Sequence, residues 1–246
     1  MKIKFLKKLI ESSGYKLFDK NLVKNQRLIS KKSVFDMNLC LENIFKKNKI
    51  KSLMQIGAND GSRFDNINKF IKKFDVNGVL VEPVPYYFDQ LKETYSNEKN
   101  LILENCAISE KSGEINIYFV KKEFLNNYDE HVRGINSLDR NHLIKHNIKS
   151  AHIYEQKVKS LCIKDLIKKN NIKYLDLLVI DAEGYDGNIV IDFLKNIKFK
   201  SILIFEFIHI KHTIFSEVIK NLDEKKYKYF QLNENLICFT DEQIFL

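Results

Sequence analysis

The sequence is poor in several residues that mark common protein classes. Of its 246 residues none is tryptophan, 2 are proline and 8 are glycine. So little proline and glycine excludes collagen-like and other low-complexity fibrous repeats. No apolar run approaches the roughly 18 residues of a membrane-spanning helix. The opening stretch MKIKFLKKLI alternates lysine with apolar residues too finely for the core of a signal peptide.

Cysteine is also scarce, and the four cysteines lie far apart in the chain. They are Cys40, Cys106, Cys162 and Cys238, and no two of them form a C-x-x-C pair. This spacing argues against a disulfide framework and against a zinc knuckle. We therefore predict a protein of a reducing compartment, the cytoplasm.

Acidic residues are outnumbered by basic ones. Lysine and arginine total 41 against 32 acidic residues, which gives a net charge of +9. A basic balance of this kind suggests acidic partners such as nucleic acid, anionic lipid or a phosphorylated substrate. However, the lysines are spread along the chain rather than clustered in a stripe, and AT-rich codon usage would give the same bias. The charge alone therefore predicts no nucleic-acid partner.

The chain is predicted to hold one large domain with two additions. Residues 1–32 form a basic amphipathic leader, and residues 1–10 could contact an anionic membrane surface peripherally. A helix packed on the body, or a frayed terminus, explains the leader equally well. Residues 33–246 form a single domain, in which the polar segment 121–156 shows no regular element and is interpreted as an inserted acceptor-binding cap.

Strand-like and helix-like patterns alternate through the rest of the domain. This alternation predicts an α/β fold of the Rossmann-like class I type, with a mostly parallel seven-stranded sheet, helices on both faces and an antiparallel terminal hairpin. The apolar runs read as strands are Ser52–Ile56, Val79–Val81, Leu101–Leu103, Ile115–Val120, Leu175–Ile180, Ile202–Phe207, Tyr227–Leu232 and Leu236–Thr240.

A glycine-containing turn follows the first strand. Gly57 and Gly61 lie four residues apart between a strand and a helix, where glycine lets the backbone turn sharply and approach a ligand. Glu82 follows at the end of the second strand, roughly 20 residues on, where Rossmann-type sites bind ribose hydroxyls. The competing interpretation of Glu82 is a solvated carboxylate at a strand end.

A second polar group follows the strand Leu175–Ile180. Asp181 and Glu183 come directly after this apolar run, and ligands of open α/β sheets bind beyond the carboxyl ends of the strands. Helix capping is the alternative role for such acids, and it suits Asp186 better than Asp181. Asn105 and Ala107 follow the third strand, at the position where a Rossmann site seats adenine.

These motifs together resemble the FkbM family of S-adenosylmethionine-dependent methyltransferases. The similarity covers roughly residues 50–240. It rests on the segments QIGANDG (55–61), VEPVP (81–85), NCAIS (105–109), Ser137-Leu138, VKSLCIKDL (158–166), DLLVIDAEGYD (176–186) and FEFIH (205–209).

The resemblance implies an enzyme that O-methylates a sugar hydroxyl in surface polysaccharide or glycolipid biosynthesis. S-Adenosyl-L-methionine would be the cofactor, S-adenosyl-L-homocysteine the product, and the acceptor a lipid-linked or nucleotide-linked sugar or glycan. By position, the methionine end would be held by Gly57, Asn59, Asp60 and Gly61, the ribose by Glu82, and the adenine by Asn105 and Ala107.

The reaction needs a general base, because a neutral sugar hydroxyl is a poor nucleophile. Asp181 is the first candidate, with Glu183 and His209 as alternatives, and Glu206 could orient His209 or help ligate a metal. Carboxylates with a histidine are compatible with Mg²⁺ or Mn²⁺. Because no tight ligand spacing is visible in the sequence, no metal site is predicted.

Three alternatives stay open at this point. The acceptor could be a nucleic acid or a small secondary metabolite, although the chain lacks the Pro-Pro-aromatic loop of DNA amino-methyltransferases. The chain could also be a nucleotide-binding protein without catalysis. Four histidines of the 121–156 segment are interpreted as solvated or, with Arg133, Arg140 and Tyr154, as lining a pocket for an acidic sugar; they are His131, His142, His146 and His152.

Overall fold

A computed structural model describes residues 36–63 and 65–243. The predicted leader, residues 1–32, lies outside the described residues. By its internal contacts the chain divides after Leu39, and both sheets lie in the unit that begins at Cys40. No helix in the described part of the chain is both long and apolar enough to cross a membrane.

Ten strands and seven α-helices alternate along this part of the chain, with three short 3₁₀ helices between them. The strands are β1 (Ser52–Ile56), β2 (Asn77–Val81), β3 (Leu101–Glu104), β4 (Ala107–Ile108), β5 (Gly113–Val120), β6 (Ile153–Leu161), β7 (Leu177–Ile180), β8 (Ile202–Glu206), β9 (Lys228–Leu232) and β10 (Asn235–Phe239). The helices are α1 (Met37–Lys47), α2 (Asn68–Phe74), α3 (Pro85–Thr94), α4 (Arg140–Lys145), α5 (Ile163–Lys169), α6 (Asp186–Asn196) and α7 (His212–Glu224).

Seven strands form the central sheet, in the order β3-β2-β1-β7-β8-β10-β9. The first five of these strands are parallel to one another, and β10 is antiparallel to both β8 and β9. The predicted Rossmann-like sheet with its antiparallel terminal hairpin is therefore confirmed. The order reverses beside β1, where β7 pairs on the side opposite β2, and such a reversal opens a ligand crevice beyond the strand ends.

Both faces of this sheet are covered. Val79 and Val81 of β2 pack into an apolar cluster with α5, α6 and α7, while Leu80 between them points the other way and is also fully buried. In a separate buried group, Phe45 of α1 stacks on Phe70 of α2 with ring centroids 5.3 Å apart. Burial on both faces explains why the parallel strands are continuously apolar rather than alternating.

A second, three-stranded sheet has the order β4-β6-β5. Strands β5 and β6 form a long antiparallel pair, in which Gly113 lies opposite Ser160 and Val120 opposite Ile153. The run Ile115–Val120 is thus a strand, as predicted, and it belongs to this second sheet. Residues 153–156, included in the predicted cap, are the first residues of β6.

The chain between β5 and β6, residues 121–152, is called the insertion here. The sequence pattern assigned no element to this stretch, whereas the structure shows α4 and 3₁₀ helices at Lys122–Asn127, Glu130–Arg133 and Ser150–His152. Its apolar side chains form a core of their own with β5 and β6, made of Val120, Leu125, Val132, Ile135, Leu143, Ile148 and Ile153. The insertion also folds back on β5 through paired backbone hydrogen bonds between Tyr118 and Ser137.

Candidate functional site

The turn after β1 brings three strand ends together. Gly57 has φ +83°, and a Cβ added there would lie 1.7 Å from the carbonyl oxygen of Asp181. The amides of Gly57 and Ala58 both donate to the carbonyl of Val81, at the end of β2. Only glycine allows so close an approach at this φ. The ends of β1, β2 and β7 therefore meet at Gly57.

The rest of this turn is shaped by its own polar side chains. Asp60 is 2% exposed, and its Oδ1 accepts hydrogen bonds from the amides of Ser62 and Arg63 at 2.9 and 2.8 Å. Asn59 (φ +48°) and Gly61 (φ +70°) both adopt left-handed backbone conformations. Asp60 thus stabilises the turn, and its contact with a cofactor stays a prediction.

Glu82 is buried at the end of β2. It is 2% exposed, and its two carboxylate oxygens accept hydrogen bonds from the amides of Asn59 (2.9 Å) and Val84 (2.8 Å). The interpretation of Glu82 as a solvated carboxylate is therefore wrong. Burial raises the pKa of Glu82 to about 7. The carboxylate links the glycine turn to the segment after β2.

The third strand end contributes Asn105 and Ala107. The Asn105 side chain is exposed and donates to the carbonyls of Glu82 (2.8 Å) and Pro83 (3.1 Å). Ala107, at 4% exposed, lies in an apolar cluster with Val84 and other residues of the second sheet. Asn105 therefore lies beside Glu82, whereas the Ala107 side chain is part of a core.

The buried state of Glu82 gives a testable pH dependence. A carboxyl whose pKa rises from 4.5 in the unfolded chain to about 7 in the folded one stabilises the fold at low pH, and this contribution is lost as pH rises through that window. We expect Glu82→Gln, which cannot ionise, to gain stability relative to the wild type by up to about 3 kcal/mol between pH 4.5 and 7. Urea unfolding of both proteins across this range measures the difference in their free energies of unfolding. A difference that does not change with pH would contradict the prediction.

The loop after β7 carries three acids with different surroundings. Asp186 is fully buried, and it accepts hydrogen bonds from the amides of Ala182 (3.0 Å) and Gly184 (3.1 Å), so it holds the loop that precedes α6. Glu183 has φ +47°, and its Oε2 lies 2.9 Å from Nε2 of His142. Asp181 is exposed, and among the described residues its carboxylate has no hydrogen-bond partner.

Burial and the charges of neighbouring acids raise the proton affinity of Asp181 and Glu183. Although Asp181 is exposed to solvent, protein atoms crowd its carboxylate, and this desolvation together with repulsion from Glu183 and Asp186 raises its pKa. The pKa of Glu183 is also raised, by burial and by the charge of Asp186. Glu206, at the end of β8, has its pKa raised to about 9 by burial and by the same acids. A cationic ligand would relieve this repulsion.

Three histidines meet beside these acids. The rings of His142, His146 and His209 lie with centroids 4.7 to 5.0 Å apart, and Nε2 of His209 lies 3.9 Å from Oε2 of Glu206. His142 is only 7% exposed. Burial lowers the pKa values of all three imidazoles, that of His146 to about 4. The interpretation of His142 and His146 as solvated is therefore wrong.

Part of this histidine group could have been predicted from the spacing of its residues in the sequence. His142 and His146 are four residues apart, the spacing that places two side chains on one face of a helix. Their meeting with His209 has no sequence signal, because that residue follows β8 and approaches only through the fold.

The insertion touches both polar groups of the site. The Asn59 side chain donates to the carbonyl of Arg133 (3.1 Å), and the Ser137 hydroxyl donates to the carbonyl of Glu183 (2.8 Å). With the His142–Glu183 contact, these bonds join the insertion to the glycine turn and to the loop after β7. The insertion therefore lies directly against the strand ends where a ligand of this fold binds.

A cleft of ≈ 480 Å³ opens within the insertion. Its walls carry amide, carboxyl, phenol and imidazole groups, from Asn126, Asn127, Tyr128, Asp129, His131, His146 and Asn147, and the apolar side chain of Val132. His146 belongs both to this wall and to the histidine group next to Glu183. The cleft is therefore connected to Glu183 through His146.

Comparison with known proteins identifies a family model that matches this chain. Residues 55–229 match the model of the methyltransferase FkbM domain. No curated protein matches the chain. Among solved structures, a methyltransferase FkbM from Methylobacillus flagellatus KT is 10% identical, with a TM-score of 0.48 over 77% of this chain and 43% of that one.

Two further solved structures are similarly distant. A putative caffeoyl-CoA O-methyltransferase from Staphylococcus aureus is 13% identical, with a TM-score of 0.43 over 96% of this chain and 98% of that one. An SAH-bound methyltransferase from Podospora anserina is 9% identical, with a TM-score of 0.41 over 91% and 88%. This chain spans less than half of the Methylobacillus structure. Such distant likenesses assign no substrate.

Proposed function

Because the chain belongs to the FkbM methyltransferase family, we propose that it transfers a methyl group from S-adenosyl-L-methionine to a sugar hydroxyl. The observation that carries this proposal is the cleft of the insertion. Its walls are rich in amide and imidazole groups, with Tyr128 as an aromatic surface, and it shares His146 with the histidine group beside Glu183. Several hydroxyl-binding groups around one aromatic ring suit a sugar better than a flat apolar metabolite.

S-Adenosyl-L-methionine is the cofactor of this methyltransferase, with S-adenosyl-L-homocysteine as its product. When bound, it supplies a methyl group already activated on a positively charged sulfur. The donor set suits such a molecule, because a positive charge beside Asp181 and Glu183 would relieve the repulsion that raises the pKa values of both carboxyls. Each Glu82 oxygen accepts one backbone hydrogen bond and keeps a second lone pair for a ribose hydroxyl.

The glycine turn holds the methionine end in this proposal. Gly57 lets the loop pack against the end of β7, Gly61 lets it pack against α3, and Asp60 fixes its shape. Asn105 and Ala107 flank the adenine, Ala107 through its backbone because its side chain is buried. Since Asn59 is bonded to Arg133, the insertion closes over this corner.

Asp181 is the general base in this proposal. Of the three candidates, Glu183 is engaged by His142, and His209 lies among two other imidazoles. The Asp181 carboxylate, exposed and without a hydrogen-bond partner among the described residues, is free to accept the proton of an acceptor hydroxyl. The other chemical task of the chain is to align that hydroxyl with the methyl group, since the donor is already reactive.

The test is a methyl-transfer assay with a radiolabelled donor on a panel of nucleotide sugars, lipid-linked sugars and free glycans. We expect label in at least one sugar acceptor, and mass spectrometry of the product to place the methyl on a hydroxyl oxygen. Label in RNA, DNA or a non-sugar metabolite instead would overturn the sugar assignment. Calorimetry with S-adenosylhomocysteine adds a separate readout, because absence of binding would mean a non-catalytic protein.

The biosynthetic setting belongs to the same proposal. An acceptor in surface polysaccharide or glycolipid synthesis would meet the enzyme at the cytoplasmic face of a membrane, and the basic residues 1–10 would favour that location. Removal of residues 1–20 is expected to lower the membrane-bound fraction in cell fractionation without loss of methyl transfer. An unchanged membrane fraction would reject the leader as an anchor.

A further inference from the structure

Four side chains of metal-binding type converge beside the cleft. His142 and His146 come from α4 and its C-terminal end, Glu183 from the loop after β7, and His209 from the loop after β8. Each offers one ligand atom, and these four atoms all lie within 4.8 Å of one another. The closest contact, between Nε2 of His142 and Oε2 of Glu183, is 2.9 Å.

The backbone fixes the carboxylate in this group. Glu183 and Gly184 have φ values of +47° and +92°, and for a residue other than glycine such a conformation costs energy that surrounding bonds must offset. Those bonds are present, because Ser137 donates to the Glu183 carbonyl and Asp186 holds the amide of Gly184. A Cβ at Gly184 would lie 3.5 Å from Nδ1 of His142, so the loop packs closely against that ring.

Only some of the polar atoms in this group of four side chains have hydrogen-bond partners. The His142–Glu183 pair is satisfied. In the part of the chain that the structure describes, however, the rings of His146 and His209 make no hydrogen bond, and the nearest acid to His209 is 3.9 Å away. Three imidazoles packed around one carboxylate leave ring nitrogens without partners, and a cation is the ligand that would use them together.

We propose that His142, His146, Glu183 and His209 bind a divalent transition-metal ion. Imidazole nitrogens with one carboxylate suit ions such as Zn²⁺, Co²⁺, Ni²⁺ or Mn²⁺, whereas Ca²⁺ and Mg²⁺ require mainly oxygen ligands. Bonds of about 2.0–2.2 Å to a common ion place ligand atoms roughly 3–4 Å apart, so the widest pair closes by about 1 Å on binding. The proposal does not depend on the methyl acceptor, because it concerns the four side chains alone.

The position of the ion has a consequence for the site. His146 is a proposed ligand and also forms part of the cleft wall. An ion held here borders the cleft, and one of its ligands, Glu183, is two residues from Asp181 in the sequence. The site thus differs from a purely structural metal centre buried away from the reaction.

The experiment uses the full-length protein after chelator treatment, titrated with Co²⁺ and followed by visible absorption and by metal content. We expect one ion per chain, displaced by Zn²⁺, with the affinity lowered at least tenfold in His146→Ala and in His209→Ala. His212→Ala is the matched control, since His212 is an exposed histidine at the start of α7 outside the group, and it should bind Co²⁺ as the wild type does.

A second measurement keeps the result independent of folding defects. Zn²⁺ should raise the unfolding temperature of the wild type and of His212→Ala, but not that of Glu183→Gln, each variant first being shown to be folded by circular dichroism. The proposal is overturned if the wild type binds no stoichiometric Co²⁺, or if His146→Ala and His209→Ala bind it with wild-type affinity. Neither readout requires methyl transfer, so failure of the sugar assay leaves this test unaffected.

Discussion

Replacing Gly57 with alanine is expected to destabilise the protein by several kcal/mol and to abolish cofactor binding. The new Cβ would lie 1.7 Å from the carbonyl oxygen of Asp181, far inside van der Waals contact, at φ +83°. The left-handed conformation alone costs about 1–2 kcal/mol, and forced displacement of packed backbone costs about 1–3 kcal/mol more. Since the carbonyl belongs to the end of β7, the strand ends that form the ligand crevice must move apart.

Urea unfolding and calorimetry with S-adenosylhomocysteine measure these two effects. The matched control is Gly113→Ala, because Gly113 also has a positive φ (+154°) but nothing within 4 Å of an added Cβ. That variant should lose only the stability that a positive φ costs an alanine, and it should bind S-adenosylhomocysteine as the wild type does. Unchanged stability and affinity in Gly57→Ala would show that β1 and β7 do not approach each other as described.

The central sheet was predictable because its signals are local. Each parallel strand is a short apolar run buried on both faces, as at Val79–Val81, and turn residues such as Gly57 and Gly61 follow the runs. The antiparallel hairpin was readable from two runs joined by a short turn at Asn233–Asn235. Such patterns predict the type of each element and a mostly parallel sheet, whereas the order of the strands depends on contacts between residues far apart in sequence.

The second sheet and the insertion were not readable in this way. β5 pairs with β6 across the whole insertion, and no local pattern reports a partner so distant in sequence. The insertion has its own core, whose apolar residues are spaced too irregularly for one helical or strand period. Polar residues such as Asn126 and Asn127 between them made the segment look unstructured.

The site likewise contains residues that the sequence could predict and contacts that it could not. Glu82, Asp181 and Glu183 were identified because they end strands, and parallel strands place their carboxyl ends at one edge. The meeting of His209 with His142 depends on where the insertion docks, which is decided by contacts such as Ser137 to the Glu183 carbonyl. Burial of Glu82 also required the fold, because its hydrogen-bond donors are backbone amides rather than recognisable side chains.

Replacing Asp181 with asparagine is expected to lower kcat by about 10²–10⁴-fold, the usual contribution of a positioned general base. The substitution preserves size, and it removes no hydrogen bond to a described residue, so the fold should be unaffected. In the proposed arrangement it also removes a negative charge close to the sulfonium of the donor. Affinity for the cationic donor should therefore fall about tenfold, while affinity for the uncharged-sulfur product changes little, since one charge pair near a protein surface is worth a few kcal/mol at most.

These two effects separate the roles of the carboxylate. Single-turnover kinetics with an identified acceptor gives the chemical step, and calorimetry with donor and product gives the charge effect. Asp176→Asn is the matched control, because Asp176 lies just before the opposite end of β7, where its Oδ2 accepts hydrogen bonds from the amides of Lys51 and Ser52. That variant should keep the wild-type kcat. Wild-type turnover in Asp181→Asn would transfer the role of base to Glu183 or His209, whereas a change confined to donor affinity would leave Asp181 an electrostatic role only.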